Sequence, residues 1–194
     1  MRKAELNRET LETQIYIELN LDGKGSSDIS TGIGFFDHML ILFSKHGLFD
    51  LKIVAKGDLN VDSHHTIEDV GITMGKAFNT ALRDKVGITR YGSVYLPMDE
   101  ALVRVVVDIS GRPFLHYDVS FTAERIGEMD TKMVEEFMRA FAFNAGITLH
   151  MDLLHGSNNH HIAEACFKGL GRALRYAVSL DEREAGLPTT KGVL

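Results

Sequence analysis

The chain has 194 residues, its hydrophobic fraction is 44%, and its formal net charge at pH 7 is -6. This length can bury one substantial core or two small similar halves, and the acidic balance argues against a general nucleic-acid-binding surface. The single cysteine, Cys166, excludes an intrachain disulfide and a thiolate zinc site. No apolar run approaches the roughly 18 residues of a membrane span, and residues 1–8 lack the apolar core of a signal peptide, so we expect a cytoplasmic protein.

In the first half of the chain, the sequence predicts a strand, a helix, a second strand and a second helix. Residues 12–19 alternate between apolar and polar side chains, as in a strand with one buried face, and residues 22–25 (DGKG) are typical of a turn. Residues 35–45 then predict a helix, residues 48–55 (LFDLKIVA) a strand, and residues 70–82 an apolar-periodic helix.

The second half repeats this order, which indicates an internal duplication. It has predicted strands at residues 93–96, 101–109 and 114–121, followed by a helix at residues 131–144. A further strand at residues 147–154 and a helix at residues 165–178 complete this half. With a boundary in the loop 87–92, the half-repeats span residues 1–90 and 91–194 and form one functional unit. The order of elements predicts an α+β fold, in which helices pack on one face of mostly antiparallel sheets.

One five-residue pattern, His-His-x-x-Glu, follows the later strand of each half. Its two copies supply His64, His65 and Glu68 in the first half and His160, His161 and Glu164 in the second. On a helix the glutamate shares a face with either histidine, whereas adjacent histidines point about 100° apart. One metal ion can hardly bind both rings of a pair, so the duplicated motif predicts two related metal sites.

Two residues at matching positions could complete these sites. His38 lies 26 residues before His64, Glu136 lies 24 residues before His160, and both are near the start of a predicted helix. Each site would then have about four protein ligands and open coordination positions, which indicates catalysis rather than a purely structural ion. Histidine and glutamate without cysteine suit manganese, iron(II), zinc, cobalt or nickel, and the sequence does not choose among them.

Three further polar residues could support these ligands. Asp62 and Asp69 are candidates to orient the imidazole rings, although a turn residue and a solvated helix position are equally good interpretations. His46 could either reach the same pocket or cap the end of its helix.

Basic residues in loops suggest an anion pocket. Arg90 (TRYG), Arg112 (SGRP) and Lys191 (PTTKG) each lie in a turn-like segment. Arginine forks and a lysine beside hydroxyl groups suit a phosphate monoester, although each of these residues alone is also typical of an ordinary loop.

Separated blocks of sequence, in one consistent order, carry a resemblance that covers nearly the whole chain. They lie at residues 31–40 (TGIGFFDHML), 44–50 (SKHGLFD), 62–69 (DSHHTIED), 108–113 (DISGRP), 159–164 (NHHIAE), 167–168 (FK) and 191–194 (KGVL). In these blocks the chain resembles the imidazoleglycerol-phosphate dehydratase family.

The resemblance implies a metal-dependent dehydration of D-erythro-imidazoleglycerol phosphate to imidazole acetol phosphate, a step of histidine biosynthesis. It implies two manganese ions (Mn2+) per active site and a metal-stabilised imidazolate or diazafulvene-like intermediate. It also implies a duplicated fold like the second domain of ribosomal protein S5, and a homo-oligomer of 24 subunits built from trimers, with active sites between subunits.

The resemblance also assigns roles by position. The implied catalytic acid or base is Glu12, which the residues alone would place as a surface residue at the start of a strand. The implied metal ligands are His38, His64, His65, Glu68, Glu136, His160, His161 and Glu164. The implied substrate-binding residues are His46, Arg90, Arg112, Lys168, Thr189, Thr190 and Lys191.

Position 136 departs from the family pattern, because many members carry histidine where this chain has Glu136. A carboxylate can replace an imidazole as a ligand for a hard ion, so we keep Glu136 among the predicted ligands. If its side chain turned away, that site would be left with three protein ligands.

Two other interpretations fit part of the pattern. A dinuclear metal hydrolase, such as a phosphatase, usually needs metals about 3.5–4 Å apart that share a bridging carboxylate, and no Asp-rich bridging motif is evident. A non-catalytic protein whose metals join subunits would not explain the three basic loop residues. A substrate-turnover assay distinguishes both from the dehydratase.

Overall fold

Each half of the chain folds into a four-stranded sheet with two helices. The computed structural model describes residues 1–194. The first half contains β1 (Lys3–Glu9), β2 (Thr13–Asn20), β3 (Ser27–Ser30), α1 (Gly34–Gly47), β4 (Asp50–Gly57) and α2 (His64–Leu82). The second half contains β5 (Tyr91–Met98), β6 (Ala101–Asp108), β7 (Phe114–Asp118), a short hairpin of β8 (Arg125–Ile126) and β9 (Met129–Asp130), then α3 (Lys132–Ala145), β10 (Thr148–His155) and α4 (Asn159–Ala177).

The two large sheets have the same topology. Their strand orders are β1-β2-β4-β3 and β5-β6-β10-β7. In each sheet the last pair, β3 with β4 or β7 with β10, is parallel, and the other pairs are antiparallel. A parallel pair needs a crossover connection, which α1 and α3 provide. The prediction of an α+β, two-half fold with mostly antiparallel sheets is confirmed.

The structure contains strands that the sequence pattern did not predict. β1 alternates between exposed and half-buried residues and has no strongly apolar face, yet it pairs with β2 along its whole length. It is an edge strand, and such strands often carry charged side chains, which weakens the hydrophobic signal. The helices α2 and α4 also begin earlier than predicted, because each includes the His-His-x-x-Glu motif in its first turns.

The helices lie between the two sheets and join the halves. The helix α1 packs on α4, α2 packs on α3, and one cluster of 47 buried residues includes members of both halves. Phenylalanine rings from three helices meet at its centre, where Phe36, Phe137 and Phe167 lie with ring centroids 5.1–6.4 Å apart. Each half therefore buries its helices against the other half. None of the helices has both the length and the hydropathy that crossing a membrane requires.

Glycines allow the helices to approach closely. A Cβ atom added at Gly75 of α2 would lie 2.6 Å from the backbone oxygen of Phe141 in α3, and one added at Gly171 of α4 would lie 2.6 Å from that of Phe43 in α1. Such distances to backbone cannot be relieved by rotating a side chain, so these contacts require glycine.

We expect Gly75→Ala to lower the melting temperature of the protein. Overpacking typically costs about 1–3 kcal/mol, which exceeds the roughly 1 kcal/mol that alanine gains in helix propensity. Gly34→Ala is the matched control, because a Cβ atom there would meet nothing within 4 Å. Thermal unfolding followed by circular dichroism checks this, and equal melting temperatures for the two variants would contradict it.

Candidate active site and metal centre

The first turns of α1 and α4 bring three possible metal ligands together. The Nε2 atoms of His38 and His160 lie 2.9 and 3.1 Å from the same oxygen, Oε1 of Glu164. Ligand atoms of the three residues all lie within 4.8 Å of one another. Both histidines are about half exposed, whereas the Glu164 side chain is only 9% exposed. Two imidazoles and one carboxylate on an open surface fit a divalent ion that keeps free coordination positions.

The Glu164 carboxylate is held ionised. Burial raises its pKa, but hydrogen bonds from Lys168 and from His38 lower the pKa more, to about 2. The Lys168 ammonium donates to Oε2 of Glu164 at 2.6 Å, and its side chain is only 14% exposed. A ligand carboxylate must be deprotonated, so this arrangement prepares Glu164 for a metal ion. It also pairs Lys168, a predicted substrate-binding residue, with a carboxylate of the metal centre.

The residues of the first motif are less closely assembled. At the start of α2, His64 Nε2 is 3.8 Å from Glu68 Oε2, which is longer than a hydrogen bond. Glu12 lies in the turn between β1 and β2, with Oε2 at 3.7 Å from His65 Nδ1 and a side chain that is 54% exposed. Glu136 occupies the same position in α3 that His38 occupies in α1, but it makes no ion pair with His64.

The second histidine of each motif contacts a carboxylate that the sequence analysis did not select. His65 Nδ1 lies 3.0 Å from Asp58 Oδ2, and His161 Nδ1 lies 2.7 Å from Glu100 Oε2. These hydrogen bonds raise the pKa of both imidazoles. A carboxylate at Nδ1 fixes the orientation of the ring, which is how outer residues commonly orient a metal-binding histidine. Nε2 of His161 has a long contact of 3.5 Å with Asn158 Nδ2.

Sequence spacing gave little sign of these two carboxylates. Asp58 follows β4 and Glu100 lies in the tight turn between β5 and β6, so both look like ordinary acidic turn residues. Asp62 and Asp69, which the sequence analysis selected as candidates to orient the imidazole rings, make other hydrogen bonds. Asp62 accepts the backbone N–H of His64 at 2.7 Å, and Asp69 binds Thr13 and Arg8.

Five of the predicted substrate-binding residues meet at the opposite end of α4. A pocket of about 540 Å³ is lined by Arg90, Arg112, Thr189, Thr190 and Lys191, among others. The Arg90 guanidinium donates to both carboxylate oxygens of Asp108, at 2.7 and 3.1 Å, and to the Pro188 carbonyl at 2.8 Å. Arg90 therefore holds the tail in place, while Arg112, with a side chain that is 62% exposed, faces solvent.

His46 lies on α1, two turns beyond His38. Burial lowers the pKa of its imidazole, and the nearby positive charges of Lys168 and Arg172 lower that pKa further. The ring is therefore neutral near pH 7 and lies close to the basic residues of α4.

Comparison with known proteins identifies the family. The sequence model of the imidazoleglycerol-phosphate dehydratase family matches residues 31–174. The imidazoleglycerol-phosphate dehydratase of Thermoanaerobacter pseudethanolicus is 68% identical over the whole of both chains, and that of Caldanaerobacter subterraneus is 66% identical over the same extent. The crystal structure of the dehydratase from Staphylococcus aureus matches with a TM-score of 0.84 and 44% identity, covering 92% of this chain and 99% of that one.

The chain belongs to the imidazoleglycerol-phosphate dehydratase family. A crystal structure from the same family, from Pyrococcus furiosus, also has a TM-score of 0.84, at 39% identity over 97% of this chain and all of that chain. The chain is therefore an enzyme of the hydro-lyase class, and the family carries out a dehydration step of histidine biosynthesis on a small phosphorylated substrate. This membership favours the dehydratase over the metal hydrolase and over the non-catalytic metal protein.

We expect Glu164→Gln to weaken manganese binding by more than the roughly 10–100-fold that is typical of losing an outer-shell residue. The amide cannot provide the ionised oxygen that both histidines share. Glu135→Gln is the matched control, because Glu135 pairs only with Arg139 on the exposed side of α3. Titration calorimetry on metal-stripped protein checks the prediction, and equal affinities for the two variants would show that Glu164 is not a ligand.

Proposed function

We propose that this enzyme converts D-erythro-imidazoleglycerol phosphate to imidazole acetol phosphate in the cytoplasm, using two manganese ions in each active site. The observation that carries the proposal is the cluster of His38, His160 and Glu164 in a chain of this family. The full set of ligands that we propose is His38, His64, His65, Glu68, Glu136, His160, His161 and Glu164.

The reaction is difficult because the hydroxyl group leaves from the carbon attached to the imidazole, whereas the proton is removed from the next carbon along the chain, which has no adjacent carbonyl group to acidify it. When bound, the metal ions would act as Lewis acids on the imidazole and supply the electron sink that an imidazolate or diazafulvene-like intermediate requires. Glu12 is the proposed general acid or base, because its exposed carboxylate lies beside the first motif.

Phosphate binding is assigned to the basic residues. Arg112 and Lys191 line the pocket at the end of α4 together with the hydroxyl groups of Thr189 and Thr190. Arginine forks and lysine bind phosphate strongly, and fixing the phosphate positions the reacting carbon. Arg90 contributes by holding the tail segment, and His46 and Lys168 extend the substrate-binding set along the contact of α1 with α4.

The two parts of the site are too far apart within one subunit. His160 is in the first turn of α4, whereas the backbone N–H of Arg90 donates to the carbonyl of Ala177 at its end. At 1.5 Å per residue, this separation is about 25 Å. The substrate has only three carbons between its imidazole and its phosphate, so it spans no more than roughly 10 Å.

We therefore propose that each active site combines the metal centre of one subunit with the phosphate pocket of another. This supports the homo-oligomer, with 24 subunits built from trimers, that the family resemblance implies.

We expect turnover of the manganese-loaded enzyme to disappear when the metal is stripped and to fall about 10²–10⁴-fold in Glu12→Gln, the usual contribution of a general acid or base. The formation of the enolisable ketone product measures turnover. Glu9→Gln is the matched control, because Glu9 is an exposed glutamate at the end of β1 whose side chain accepts a hydrogen bond from Gln14. Full activity in Glu12→Gln would move the proton transfer to another group. No product from assembled, metal-loaded enzyme would overturn the proposed reaction.

Mixed oligomers test the composite site. His160→Ala disables the metal centre and Arg112→Ala disables the phosphate pocket, so each variant alone should be nearly inactive. When the two variants are co-expressed, we expect activity to return, because some sites then combine two intact halves. If co-expression restored no activity although mixed oligomers formed, as shown by a tag on one variant, the site would lie within one subunit.

A further inference from the structure

We propose that Asp69 is a positioning residue for the dehydration, and that it acts through Thr13 and Arg8 on the turn that carries Glu12. The inference rests on the proposed role of Glu12 as general acid or base. It changes the role of Asp69, which the sequence suggested as a partner of the motif histidines.

The turn between β1 and β2 is closed by Thr10. The backbone N–H of Thr10 donates to the Thr13 carbonyl at 2.9 Å, and the Thr10 hydroxyl accepts the backbone N–H groups of Glu12 and Thr13 at 3.1 and 3.0 Å. These contacts shape the turn and leave the side chains of Leu11 and Glu12 pointing outward. They do not determine where the turn lies relative to α2.

Asp69 makes the connection between the turn and the helix. Its Oδ2 accepts the Thr13 hydroxyl at 2.5 Å, and its Oδ1 accepts Nε and Nη2 of Arg8, both at 2.8 Å. Arg8 and Thr13 lie on either side of the turn, so one carboxylate holds both strands that lead into it. Asp69 is 6% exposed and Thr13 is 2% exposed, so little water competes for these bonds.

The position of Asp69 in the helix gives this contact its significance. Asp69 follows His65 by four residues, so both side chains lie on the same face of α2. His65 is also the histidine that lies 3.7 Å from Glu12. One rigid helix face thus carries a motif histidine and the carboxylate that holds the turn, and the distance between Glu12 and the first motif depends on Asp69.

Chemistry explains why a fixed turn matters. A general base must come within about 2.6–3.2 Å of the proton that it removes. A misplacement of about 1 Å can cost as much as 100-fold in rate. The Glu12 side chain is largely exposed and has no hydrogen-bond partner of its own, so the backbone of the turn sets its position. Charge-assisted hydrogen bonds that a buried carboxylate accepts are short and directional, which suits this task.

The test compares Thr13→Val with Thr13→Ser in the assembled, manganese-loaded enzyme. Valine keeps the branched shape but removes the hydroxyl group that Asp69 accepts, whereas serine keeps that group. We expect kcat to fall about 10–100-fold in Thr13→Val, with little change in KM or in manganese content. Thr13→Ser should recover most of kcat, and Asp69→Asn, which also loses the charge that holds Arg8, should fall at least as far as Thr13→Val.

Two controls separate positioning from general destabilisation. Ser44→Ala removes a buried hydroxyl group from α1, one that donates to the backbone carbonyls of Ser26 and Phe49, and should lower the melting temperature without lowering kcat. In a Glu12→Gln background, Thr13→Val should cause little further loss, because residues that act through one group are not additive.

Three outcomes would overturn the inference. The first is an unchanged kcat in Thr13→Val and Asp69→Asn. The second is a fall of kcat on adding Thr13→Val to Glu12→Gln that is as large as its fall in the wild-type background. The third is a loss of kcat that follows the loss of melting temperature across all variants. Full activity in Glu12→Gln is a different result, because it would remove the proposed role of Glu12 itself.

Discussion

The contact between α1 and α4 is the one on which the candidate metal centre depends. His38 comes from the first half of the chain and His160 and Glu164 come from the second, so the ligands meet only where these helices meet. The approach is close because Gly171 places no side chain against the backbone of α1. The packing that buries the helices between the two sheets therefore also brings the proposed ligands together.

The duplication makes the two motifs similar but not equal. Asp58 and Glu100 come from different loops, yet each contacts the Nδ1 atom of the second histidine in its half. The two halves differ at the first helix of each half. His38 on α1 forms a hydrogen bond with Glu164, whereas Glu136 at the matching position of α3 makes no ion pair with the first motif. The two halves thus support the second histidine of the motif in the same way but from different places, because Asp58 lies in the loop before α2 whereas Glu100 lies in the turn between β5 and β6.

The two ends of α4 carry opposite charges. The carboxylate of Glu164 lies at the start of the helix, and the pocket with Arg112 and Lys191 lies beyond its end. The candidate metal centre at one end and the basic pocket at the other are too far apart for one small substrate to reach both within a single subunit. The distance between them is a property of helix length, and it is the reason for proposing that two copies of the chain share each active site.

Much of the architecture was predictable because it depends on local periodicity. The spacing of apolar residues located the helices and most strands, and the repeated motif identified the duplication and the types of metal ligand. The edge strand β1 escaped prediction because its residues are polar and at most half-buried. Its stability comes from pairing with β2, which a pattern within one segment does not reveal.

By itself the sequence determined the residue types, their spacing on each helix and the family resemblance, since these follow from local order. Only the tertiary structure decided which of these residues meet. His38 contacts a carboxylate 126 positions away, Lys168 pairs with Glu164, and Asp69 turns from the motif histidines toward Thr13 and Arg8. The physical reason is that such contacts depend on how helices and sheets pack against one another, and packing brings together side chains whose separation along the chain carries no periodic signal.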